Sequence, residues 1–123
     1  MTKEAVLRAM VSMAEADEIL DQCEIEHVCE IYHEVTNEAI SPDEVVLAAE
    51  ARRDGSFQAL PYLRDVKNEL DVETKEQLIK ATYRVLISDG KVAAQERKKL
   101  GDIARAIGMR EIHYKAVLED VEH

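Results

Sequence analysis

Apolar residues recur along this chain at the spacing of one helix face. Val6, Leu7, Met10, Met13 and Ala14 fall at i, i+1, i+4, i+7 and i+8, which predicts a helix from about Lys3 to Ala16. A second stripe, Ile25, Val28, Ile31, Tyr32 and Val35, predicts a helix opening near Asp21 and closing at Asn37. Ser41, Pro42 and Glu44 then supply a cap, a first-turn proline and a third-position acid, the signature of a helix start, with Asp54-Gly55 as the stop. Ser56 can cap a fourth helix through Phe57, Leu60, Leu63 and Val66, where Pro61 demands a kink or a late start. Asp71 and Glu73 open a fifth helix that runs through Ser88, and a sixth spans about Ala93 to Ile107. Gly108 stands at its C-terminal cap, and a seventh covers Arg110 to about Val121. No segment alternates like a strand, and the short linkers favour a compact all-α bundle.

Shifted by 72 residues, the chain partly overlays itself. Val6, Leu7, Ala9, Met10, Met13 and Ala14 fall on Leu78, Ile79, Ala81, Thr82, Val85 and Leu86. Asp17, Leu20 and Glu24 fall on Asp89, Val92 and Glu96, and Val28, Ile31 and Val35 on Leu100, Ile103 and Ile107, without a gap over about thirty positions. Any two amphipathic helices share apolar periodicity, so the matching acids around the turn are the better evidence. The pattern predicts one domain over 1–123 with an internal repeat, 5–53 and 73–121, joined by a helical segment at 56–70. Two helical hairpins related by an approximate two-fold axis can each bury their stripe against the other.

Composition narrows this picture. A chain of 123 residues fits one core, and 46% hydrophobic residues suffice to build it. With aromatics at 4% and no Trp, an aliphatic core of Leu, Ile, Val, Ala and Met is expected. The 26 acidic and 16 basic residues give a net charge of −10, which repels nucleic acid and anionic membranes. Neither a signal peptide nor a membrane span is legible, so a cytoplasmic protein is expected, with Cys23 and Cys29 as free thiols.

The second half reads Ser88-Asp89-Gly90-Lys91-Val92-Ala93-Ala94-Gln95-Glu96, then Leu100, Ile103-Ala104 and Ile107-Gly108-Met109. This run resembles the repeat signature of TerB-like domains and the related N-terminal domain of a membrane-anchored J-domain co-chaperone. The resemblance covers nearly the whole chain and is best from Glu69 to Val117. It implies an all-helical bundle, an association with tellurite resistance or general stress, and metal binding by acidic residues. The first half departs from the signature, because Glu18 stands where the second half has Gly90. Only glycine adopts a left-handed backbone there at little cost.

Four carboxylates, Asp17, Glu24, Asp89 and Glu96, admit two readings. Capping is one: Asp21 to Glu24 has the spacing of a capping box, while Ala93 breaks the box in the second half. A cation site is the other. At about 100° per residue, Glu24 falls in the arc of Val28, Ile31 and Val35, and Glu96 beside Leu100, Ile103 and Ile107, away from a solvated face carrying Cys23 and His27. A carboxylate aimed inward must be paired, capped, protonated or bound to a cation, and oxygen ligands suit Mg, Ca or Mn better than Zn.

Other constellations are weaker. Glu24-x-x-His27 and Glu30-x-x-His33 have di-iron spacing, but both lie on one helix with their histidines roughly 120° apart. Cys23 with His27 and Cys29 with His33 point to nearly opposite sides, so a four-ligand zinc site is not expected. Cys29 belongs at the border of the core. His113 and His123 carry no motif, and no phosphate loop, dinucleotide fingerprint or strand-borne nucleophile appears. The expectation is a non-enzymatic module that binds a divalent cation and docks a protein partner, homodimerisation being open. The alternatives are a purely structural interaction domain and, more remotely, a carboxylate-bridged metalloenzyme.

Overall fold

The computed structural model describes residues 2–12, 21–53, 58–88 and 94–122. Over these residues the chain forms α1 (Thr2–Val11), α2 (Gln22–Thr36), α3 (Pro42–Arg53), α4 (Ala59–Val66), a 3-10 turn (Lys67–Glu69), α5 (Val72–Ser88), α6 (Ala94–Ala106) and α7 (Glu111–Glu122). No strand occurs among the described residues.

Local chemistry sets the helix ends. Asp21 accepts from the Glu24 amide at 2.8 Å and Ser41 from the Glu44 amide at 3.3 Å, each closing the first turn of the helix that follows. Asp71 accepts from the Thr74 amide at 2.8 Å, and the Thr74 side chain first, with that amide, holds its carboxyl below the usual range. At the far ends, Asn37 (φ 61°) and Gly108 (φ 77°) take the left-handed conformation that stops a helix. After α6 the Met109 amide reaches back to the Ala104 carbonyl at 3.0 Å and the Gly108 amide to Arg105 at 3.0 Å, which satisfies carbonyls the helix leaves open. Pro61 resolves as a late start: α4 begins at Ala59, so the proline sits in the first turn, where a missing amide costs nothing. The proposed Ser56 cap lies outside the described residues, and Gln58, which precedes α4, makes no side-chain cap bond.

The long helix α5 is the axis of the bundle. It packs against α1, α2, α6 and α7, while α3 covers α1 and α2, and α4 bridges α1 and α6. Most of α1 is buried, from Ala5 through Val11 except Arg8, and α5 buries Leu78, Ile79, Ala81, Thr82, Tyr83, Val85 and Leu86. Burying each large aliphatic side chain contributes about 1.5–3 kcal/mol. Repeat-equivalent positions are buried alike: Val6 with Leu78, Met10 with Thr82, Val28 with Leu100 and Ile31 with Ile103. Thr82 keeps its hydroxyl satisfied by donating to the Leu78 carbonyl at 2.7 Å.

The core is not purely aliphatic. Tyr32 and Tyr83 are the largest of its fully buried side chains. A few aromatics placed wholly inside weigh more than their share of the composition, because each buries a large area.

Candidate cation site

Helix α2 presents the best-defined part of the site. Its amide at Glu24 points to Asp21, and the Glu24 carboxylate reaches back to the Asp21 amide at 3.3 Å, so the predicted capping box is complete. This fixes the Glu24 side chain, half-buried, at the N-terminal turn where the helix dipole favours negative charge. Cys23 beside it is exposed.

His27 departs from the sequence reading, which placed it on the solvated face with Cys23. It is half-buried, and its Nε2 atom is buried with no hydrogen-bond partner. At three residues beyond Glu24 its side chain is the neighbour of that carboxylate on the helix surface. The covered arc of α2 is wider than its central apolar stripe and takes in His27.

The other predicted site residues are less defined. Asp17 and Asp89 lie outside the described residues. Glu96 is on the first turn of α6, whose start at Ala94 is equivalent to that of α2 at Gln22, and its side chain is not described. Among the described residues no group of three or more His, Cys, Asp or Glu gathers in a way that could hold a metal.

Elsewhere the fold brings together charges that the sequence did not connect. A groove of about 570 Å³ runs between α2, α5 and α7. Arg84 pairs across it with Glu34, and Lys80 with Asp120 at 2.9 Å. At the N-terminal end of α7, His113 Nε2 lies 3.1 Å from Glu76. These partners stand 37 or more residues apart, so no local pattern announces them. Each pair is partly exposed and contributes about 1 kcal/mol or less.

Two groups on α2, one half-buried and one buried, sit where their neutral forms are favoured. Burial first, then Glu26 and Glu44, push the Cys29 thiol up, consistent with a place at the border of the core. The Tyr32 hydroxyl is buried without a hydrogen-bond partner. Burial, followed by Glu38 and Glu44 and opposed by Thr36, pushes its pKa up to about 12.

Among the described residues no helix is long and apolar enough to cross a membrane. No curated protein and no solved structure matches the chain. The family model for tellurite resistance protein TerB matches residues 3–118, nearly the full length and at least part of every helix above. The chain belongs to the TerB family.

Proposed function

We infer that this chain is a non-enzymatic TerB-family module that holds a divalent cation through carboxylates at its two acidic turns, Asp89 with Glu96 and Asp17 with Glu24, and docks a protein partner. The observation that carries the reading is the recurrence of Asp and Glu at one fixed spacing, 72 residues apart, at the entrance to two helices that begin at equivalent positions. Chance placement of 26 acids gives no reason for that register. Oxygen donors of this kind fit Mg, Ca or Mn. The fit is supported by Glu24, whose carboxylate the capping box holds in place, and by the buried lone nitrogen of His27 next to it. Partner docking is supported by the groove between α2, α5 and α7. An association with tellurite or general stress response is part of the same proposal.

Thermal melts with added Ca, Mg or Mn test it. Saturation at about 100 times the dissociation constant adds about 2.7 kcal/mol. Asp89→Ala combined with Glu96→Gln lowers that gain by the second turn's share; its full persistence would move the cation elsewhere.

The completed capping box favours a second reading, a purely structural interaction domain in which the turn acids only cap helices. Under that reading none of these cations moves the melting temperature.

A further inference from the structure

We propose that the junction of α6 and α7 docks an acidic peptide segment of a protein partner. One apolar side chain of that segment sits in a cavity beside Met109, and its carboxylates meet Arg105 and Lys115. The inference rests on the reading that the module docks a partner. It adds the partner's chemistry and puts the contact on a face other than the groove between α2, α5 and α7.

The argument starts from a cavity of about 220 Å³ lined by Gly101, Ala104, Met109 and Tyr114, with Arg105 and Lys115. Pockets that enclose a cofactor-sized molecule run to roughly 300–1,000 Å³, so this one has room for a single side chain. Gly101 keeps it open. A glycine in a helix interior costs about 1 kcal/mol against alanine. Packing does not demand one here, since a Cβ at this position would make only an ordinary contact with the Arg105 guanidinium, at 3.9 Å. The absent side chain leaves space instead.

Charge says what enters it. Residues 97–115 hold six Lys and Arg against two acids, in a chain of net charge −10. The side chains of Arg105 and Lys115 are 71% and 68% exposed, so both cations are reachable from solvent. Each pairs with an acid one turn away on its own helix, Asp102 and Glu111, and such exposed pairs hold weakly. A guanidinium has five donors and an ammonium three, so each can also serve an incoming carboxylate. Tyr114 adds a hydroxyl donor: burial pushes its pKa up, and the charges of Arg97 and Arg105 act against that shift at the same phenol. Screening at physiological salt confines these fields to about 8 Å. A short acidic segment therefore senses the local positive face, whereas an extended polyanion also meets the surrounding excess of carboxylates.

The test uses the full chain and a short fluorescent peptide with a central Phe flanked by glutamates, followed by anisotropy and by amide NMR shifts. Saturable binding that weakens with salt is expected, with the shifts centred on Gly101, Met109 and Tyr114. Arg105→Glu combined with Lys115→Glu should weaken it about tenfold or more. Gly101→Leu fills the cavity and suits a helix, so it should abolish binding without lowering the melting temperature. Replacing the peptide's Phe by Ala should also weaken binding about tenfold or more. Binding that survives these changes overturns the proposal, as does tighter binding of single-stranded DNA at the same residues. Shifts that map to Lys80 and Arg84 refute this inference and keep partner docking, at the other groove. No binding of the peptide refutes it too. A calcium-induced rise in melting temperature that persists in the Arg105→Glu variant then shows that the cation reading stands apart from that failure.

Discussion

Helices α2 and α6 begin at equivalent positions, Gln22 and Ala94, and bury equivalent side chains, Val28 with Leu100 and Ile31 with Ile103. Their other positions differ. Before α2 stands Asp21, which closes a capping box with Glu24; before α6 stands Ala93, which has no side-chain oxygen to offer. Deeper in the helix, Tyr32 corresponds to Ala104, so the first half buries a phenol with an unsatisfied hydroxyl where the second buries a methyl group. A shared apolar frame keeps the fold, while the polar positions around it diverge in role. In the first half Glu24 closes the start of its helix with Asp21, a pairing for which Ala93 offers no counterpart before α6.

The largest expected effect tests the shared frame. Leu100→Ala should cost about 2–5 kcal/mol in urea unfolding, since its side chain is completely buried. Val28→Ala at the equivalent place in α2 removes fewer methyl groups and should cost less. A reversed order would mean that the halves do not carry the core equally.

Next comes the phenol. Tyr32→Phe removes a buried hydroxyl that has no partner. It is expected to stabilise the protein by about 1–3 kcal/mol, the desolvation penalty of such a group. The same variant should alter alkaline unfolding. In the folded protein Tyr32 keeps its proton up to about pH 12, against about 10 in an unfolded chain. Its contribution is thus full below pH 10 and is lost as the pH rises from 10 to 12. Tyr32→Phe should flatten stability over that window, and an unchanged slope would assign alkaline sensitivity to other groups.

The smallest effects probe the caps. Asp21→Ala should cost about 1 kcal/mol by opening the box at α2. Ala93→Asp, the converse change before α6, should add a comparable amount or less, read as a rise in urea midpoint. If both variants are neutral, the difference between the two helix starts has no energetic meaning.

Much of the fold was legible because helix ends obey local chemistry. Asp21 with Glu24, Ser41 with Glu44 and Gly108 are short-range signals, and the structure places caps at all three. The 3-10 turn at Lys67–Glu69 carried no such signal. Tyr32 was legible as part of the apolar stripe of α2, whereas the burial of Tyr83 was not, because composition says how many aromatics exist and nothing about where they pack. The site was legible only in part. Glu24 could be placed by its capping spacing, whereas the burial of His27 depends on what lies across from α2, which periodicity on one helix does not contain. Pairs such as Glu76 with His113 depend on how α7 returns along α5, a tertiary fact with no counterpart in the local pattern.

The cation reading meets its most direct test in diffraction from crystals soaked in a heavier analogue of calcium. An anomalous peak coordinated by Asp89 and Glu96 is the predicted result. A clean map at those two carboxylates, with the analogue bound elsewhere or absent, would contradict the account and leave a TerB-family bundle whose turn acids serve only to begin its helices.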